Sequence, residues 1–323
     1  MKDKVTVSAP GKLMLLGEHA VVYDRPCLVT AIDWRIKIKA ERTNEPVLKI
    51  EARDIGLKGY EKPLENIKKS AVPKEAKFIE VAVGNFFEKY KIQGGIKMES
   101  KSEFSSKFGL GSSSATIACT IKALSELFGV EMKQRDIFDL SYKTILDIQG
   151  KGSGFDAAAA VYGGTLYFIT GGKTIEPIGI DSLPLIVAYS GIKDDTATLI
   201  RQVSEKAGIY PNIINGIYNQ IAELVESGKT ALKNENWRVL GELMNFNQGY
   251  LKSLGVSTKK LSDMIYAAID AGAWGSKLSG AGGGDCIIAL APENKRNDVQ
   301  RAVKKVGGKI IKIKTNAPGV RVE

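Results

Sequence analysis

The chain of 323 residues has a single histidine, His19, and only three cysteines, Cys27, Cys119 and Cys286. An odd number of cysteines at wide spacing speaks against a disulfide framework and against a zinc site, so buried free thiols are expected. No run of about 18 uncharged apolar residues occurs, and no apolar stretch follows the lysines of the opening MKDKVTVSAP, so neither a membrane span nor a signal peptide is expected. A cytoplasmic protein follows as the expectation. The formal net charge is +10, yet the lysines are dispersed among acids, without basic runs or interleaved aromatics. That pattern argues against a nucleic-acid partner and favours a solvated surface whose positive field suits anionic small molecules. GxxxxGK[ST] is missing, as are the protein-kinase signatures, and Ser114 stands where GxGxxG needs its third glycine.

What is present is an ordinary globular composition, 44% hydrophobic and 25% charged. The length suggests two domains with a site between them. Period-2 patterns at Val5 to Val7, Ile36 to Ile38 and Ile96 to Met98 predict strands of an early sheet. Ile79, Val83, Phe86, Phe87 and Tyr90 recur at helical spacing, and Pro73 sits where a helix would begin. A helix after Gly111 with a stop at Gly129, a second over about 134–149, and buried strands at 164–169 and 184–189 follow. The last of these strands is expected to open a second, α+β unit, largely helical over 211–271, with Ser257 or Thr258 as an N-cap and Gly272 as a stop. A strand near 286–290, a helix near 294–306 and a closing strand KIIKI complete it.

The clearest chemical signal is GLGSSSA, 109–115, set directly before a helix. Glycines let the backbone approach phosphate oxygens, and the helix start offers unpaired N–H groups and a positive dipole end. Taken alone, this is equally a serine N-cap after a glycine turn. Read with APGKLMLLGEHAVVYDRP (9–26) and KLSGAGGGDC (277–286), the loop resembles the second of the three ordered motifs of the GHMP kinases. GEH followed by AVVY, with MNFNQGYLKSLGVS (244–257), looks most like the mevalonate kinases within that superfamily. The resemblance implies two domains: an N-terminal mixed-sheet α/β nucleotide-binding domain over 1–182 and a C-terminal ferredoxin-like α+β domain over 183–323. It further implies ATP and Mg²⁺, a small acidic alcohol as acceptor, and a place in isoprenoid precursor biosynthesis, and it admits a homodimer.

Carried over residue by residue, the resemblance gives Asp156, in GSGFD, as the base and Lys12 as the cation beside the acceptor hydroxyl. Such a pair is chemically coherent, because the carboxylate takes a proton while the ammonium stabilises the negative charge that develops. The nucleotide falls to Lys107, Gly109, Leu110, Gly111, Ser112, Ser113 and Ser114, with Ser113 also on the metal. The acceptor falls to Glu18, His19, Thr196, Gly280, Ala281 and Gly282.

Departures from the family also stand in the sequence. The metal-holding glutamate of the family aligns with Ile145, and Asp147 lies about 200° further around a helix. GKGSGFDAAAAVYGG and AYSGIKDDTATL look more like phosphomevalonate kinases, so 5-phosphomevalonate remains an alternative acceptor. Lys101, Lys107, Lys151 and Lys193 flank the relevant loops and could serve its phosphate. A diphosphomevalonate decarboxylase fits poorly with GEH, and a non-catalytic regulator fits poorly with a retained Lys12, Ser113 and Asp156.

Overall fold

In the computed structural model, which describes residues 2–323, two sheets share one interior. The first eight strands and four helices are β1 (Lys4–Leu16), β2 (Pro26–Thr43), β3 (Val47–Ala52), β4 (Leu57–Pro63), α1 (Lys77–Tyr90), β5 (Gly95–Ser102), α2 (Ser112–Phe128), α3 (Gln134–Gln149), α4 (Phe155–Tyr162), β6 (Thr165–Ile169), β7 (Thr174–Ile178) and β8 (Leu185–Tyr189). There follow α5 (Thr196–Ile209), α6 (Pro211–Lys233), α7 (Trp237–Leu254), α8 (Lys259–Asp270), β9 (Gly275–Ser279), β10 (Cys286–Leu290), α9 (Arg296–Lys305), β11 (Lys309–Ile311) and β12 (Arg321–Val322).

The first sheet runs β12-β1-β2-β5-β3-β4, with β6 also on β2 and β7 on β6. It is mixed, because β3 and β5 are parallel while its other pairs are antiparallel. β2 is long enough to serve two partners, pairing residues 26–30 with β6 and residues 36–43 with β5. The β1–β2 register shifts at Pro10/Gly11, where a proline cannot donate to the ladder. That irregularity immediately precedes Lys12.

The second sheet is antiparallel in the order β11-β8-β10-β9. With α8 between β8 and β9 and α9 between β10 and β11, this is the ferredoxin-like arrangement. Its two central strands, β8 (LIVAY) and β10 (CIIAL), read as near-continuous apolar runs because both faces are covered. Leu185, Val187, Ile288 and Leu290 face the core shared with the first sheet, while Ile186, Ala188, Ile287 and Ala289 pack with Met264, Val299 and Val303 of α8 and α9. Alternation along each strand thus assigns every second residue to a different core.

Differences from the sequence reading have local causes. Pro73 does not begin α1: Ala76 N–H bonds Pro73 carbonyl at 3.0 Å in a turn, and the helix starts at Lys77. Helical structure resumes before 211, at Thr196, where Asp195 caps α5 by accepting from Thr198 N–H at 2.9 Å. The stop of α8 is as expected: the helix ends at Asp270, and Gly272, left-handed at φ 101°, bonds Ile269 carbonyl through its N–H at 2.9 Å. Residues 315–322, which a division at 182/183 puts in the second unit, return to the first sheet through Thr315 beside Ile32, Pro318 beside Gly163, and β12 on β1. No helix among the described residues is long and apolar enough to cross a membrane.

Candidate active site

The site forms where the start of α2, the start of α4, the turn after β1 and the loop after β9 meet around a cavity of about 530 Å³. Gly111 caps α2 with a left-handed φ of 79°, and Ser112, Ser113 and Ser114 form its first turn with no acidic residue among them. The first amides of that helix are therefore free for an anion, and its first turn carries no acid of its own. Gly109 is also left-handed, at φ 71°, and a Cβ there would lie 2.2 Å from Asp285 Oδ2. Only glycine fits that contact.

Lys12 is tied to the same loop, because its N–H bonds Leu110 carbonyl at 2.9 Å. Its Nζ lies 3.1 Å from Asp156 Oδ1 and 5.0 Å from the centre of the Phe155 ring. Asp156 stands in the first turn of α4, where the helix dipole favours a carboxylate. Oδ1 is buried and accepts no hydrogen bond, the approach of Lys12 being an ion pair outside hydrogen-bond geometry. A buried acceptor without a donor is costly unless something else completes it.

Glu18 and His19 form the turn after β1, and His19 adopts a positive φ of 60°. Its Nε2–H donates to Ala281 carbonyl at 2.9 Å. Burial pushes the imidazole below its ordinary pKa, opposed by that carbonyl. Glu18 is ion-paired with Lys277, both almost wholly buried. Burial raises the Glu18 pKa and lowers that of Lys277, and each charge opposes the shift of the other. Thr196, at the start of α5, together with Gly280 and Ala281, completes this wall of the cavity.

Of the residues selected from the sequence, Lys12, Glu18, His19, Gly109, Gly111, Ser112, Ser113, Ser114, Asp156, Thr196, Gly280 and Ala281 line the one cavity. Three do not. Lys107 is exposed on a short turn after β5, and Leu110 is buried and contributes its carbonyl to Lys12. Gly282 packs on Val256, whose carbonyl a Cβ at 282 would meet at 2.3 Å. Lys151 and Lys193 do line the cavity, whereas Lys101 is exposed and outside it. Lys193 is held by both Asp285 oxygens at 3.0 Å.

The sequence reading missed Lys277 and Asp285. Both stand in KLSGAGGGDC, whose glycines drew attention away from its two charges. Asp285 is buried at φ 59°, and burial raises its pKa against the pull of Lys193.

Ile145 lines the cavity, while Asp147 is engaged elsewhere by Lys143 at 2.6 Å and Asn85 at 2.8 Å. No group of three or more His, Cys, Asp or Glu among the described residues could cage a metal. The Ser113 hydroxyl and the unpartnered Asp156 oxygen nevertheless fit Mg²⁺, which commonly takes one or two protein ligands and completes its shell with phosphates and water.

Comparison with known proteins gives two family models in chain order: the GHMP kinases N terminal domain over residues 77–164 and the GHMP kinases C terminal model over 229–309. A mevalonate kinase from Thermococcus sibiricus is 38% identical, covering 99% of this chain and 98% of that one. One from Pyrococcus abyssi is 36% identical over 100% of this chain and 99% of its own. Among solved structures, the Methanococcus jannaschii mevalonate kinase superimposes with a TM-score of 0.82 at 29% identity, over 96% of this chain and 97% of that one. A Streptococcus pneumoniae phosphomevalonate kinase, in complex with phosphomevalonate and AMPPNP, also reaches 0.82, at 18% identity over 96% of this chain and 99% of that one, a likeness of fold alone.

Proposed function

The chain belongs to the GHMP kinases, small-molecule kinases that take ATP as phosphate donor, and we propose that its acceptor is mevalonate, phosphorylated at its primary hydroxyl to 5-phosphomevalonate. The observation that carries this reading is full-length identity of 36–38% to relatives that carry the name mevalonate kinase. In the cavity Lys12 and Lys193 already face carboxylates, Asp156 and Asp285. Lys74 and Lys151 line it without a carboxylate partner among the described residues, so a cation is at hand for the one carboxylate that mevalonate brings.

In this reading the triphosphate lies against the start of α2, where the free amides and the serine hydroxyls hold it. The acceptor hydroxyl sits between Lys12 and Asp156. Its oxygen bonds to the γ-phosphorus, the bond from that phosphorus to the β–γ bridging oxygen breaks, the hydroxyl proton passes to Asp156, and Lys12 stabilises the alkoxide character that develops. Mg²⁺, arriving with the nucleotide and held by Ser113 and Asp156, would neutralise phosphate charge. The remaining work is positioning.

A coupled ADP-release assay with mevalonate and with 5-phosphomevalonate tests the choice. Turnover with mevalonate is expected; turnover with only the phosphorylated acceptor would replace it by the alternative.

A further inference from the structure

Lys277 is wholly buried on β9, with 0% exposure. An ammonium there is expensive, and an apolar side chain of similar volume would be cheaper to bury. Its surroundings account for its presence. Nζ donates to Leu278 carbonyl at 2.5 Å and to Glu18 Oε1. Glu18 lines the cavity, yet its second oxygen, Oε2, is buried without any hydrogen-bond partner.

The frame around this pair is rigid. Ser279 Oγ accepts from Met14 N–H and donates to Met14 carbonyl, both at 3.0 Å. Asn247 of α7 accepts from Gly17 N–H at 3.3 Å, and Gln248 accepts from Leu278 N–H at 3.1 Å. β9 and the turn after β1 are thus fastened on both sides of Glu18, so the carboxylate has little freedom to find another partner.

We propose that Lys277 is a positioning residue for the acceptor: by holding Glu18 Oε1 it keeps the carboxylate charged and leaves Oε2 to accept a hydrogen bond from an alcohol hydroxyl of the substrate. This rests on the proposed acceptor, since mevalonate carries a second hydroxyl besides the one phosphorylated at Asp156. A carboxylate at this place selects a hydroxyl donor and repels an anionic group, so it also orients the acceptor with its own carboxylate elsewhere. The titratable and charged groups around Glu18 are Lys277 on β9, Lys12 on β1, Cys27 on β2 and His19 beside it. Lys277 is the one that touches it.

The test is Lys277→Met, with kinetics in mevalonate and ATP-Mg followed as a function of pH. The KM for mevalonate is expected to rise by at least about tenfold, the size of one hydrogen bond to a charged group. The KM for ATP should stay within about twofold, well under the effect of such a bond. Without the ammonium, Glu18 holds its proton to higher pH, so the acid limb of kcat/KM for mevalonate should move upward. Adding Glu18→Gln should abolish that limb while KM stays high. If Lys277→Met fails to fold, the double variant, which buries no charge, is the one measured, and a raised KM for mevalonate is again expected. A normal KM with an unmoved limb, or an equal rise in the KM for ATP, would overturn the role of Lys277. Wild-type enzyme that fails to phosphorylate mevalonate would instead remove the proposed acceptor, and this inference with it.

Discussion

Changing Asp156 to Asn keeps the size of the side chain and removes its charge and its ability to take a proton. Its Oδ1 lies 3.1 Å from Lys12 Nζ, and in the proposed mechanism the acceptor hydroxyl binds against both. General-base catalysis contributes about 10²–10⁴-fold, which at ~1.4 kcal/mol per decade raises the barrier by about 3–5 kcal/mol. The fold should be weakened modestly. Asp156 keeps 32% side-chain exposure but Lys12 only 8%, so loss of the pair costs on the order of 1–3 kcal/mol, more than an exposed pair. The melting temperature should fall by several degrees. Nucleotide contacts at the start of α2 are untouched, so ATP titrated by calorimetry without Mg²⁺ should bind nearly as in the wild type while ADP release in the full assay drops by the factor above. Combining Asp156→Asn with Lys12→Met should cost far less than the sum of the two, because both act on one hydroxyl. Turnover within about tenfold of wild type would fall below the range for a general base and would refute its assignment.

Three further outcomes follow from the same geometry. Gly109→Ala places a Cβ 2.2 Å from Asp285 Oδ2 at φ 71°, so it should cost at least the ~1–2 kcal/mol of a left-handed L-residue and raise the KM for ATP. A double-mutant cycle with Asp285→Gly should recover part of the lost melting temperature, and strict additivity would contradict the contact. His19 has a pKa lowered by burial, so the unfolded chain takes up the extra proton first. Stability should then be full above the unfolded histidine pKa of about 6.5 and decline as pH falls through it. Because His19 is the only histidine, the difference between wild-type and His19→Asn melting curves isolates this slope, and identical slopes would contradict it. Finally, EDTA should stop turnover without lowering the melting temperature of the nucleotide-free protein, since no metal cage exists among the described residues; a large drop would reveal a structural ion.

The sequence made local elements legible where caps and periodicity agreed. α2 runs from the residue after Gly111 to the residue before Gly129, and α3 spans Gln134–Gln149, both as the pattern predicts. The three motifs do converge, and the ferredoxin-like order of the second sheet matches the expectation from the resemblance. Long-range pairing was hidden. Lys277 and Glu18 are separated by 259 positions, and nothing in a lone lysine before a glycine loop signals a buried carboxylate partner. Thr196 was read as a substrate contact without the helix it begins, although Asp195 is a strong N-cap residue. Gly282 looked equivalent to Gly280 by composition, yet one packs on Val256 and the other lines the cavity, a distinction only the tertiary path makes.

The most direct test of the account offers mevalonate and 5-phosphomevalonate together, at equal concentration, with ATP-Mg, and follows the products by phosphorus NMR. The account predicts that the 5-phosphomevalonate signal grows as ATP is converted to ADP, with no early 5-diphosphomevalonate. 5-Diphosphomevalonate accumulating first, while mevalonate stays unphosphorylated, would contradict it.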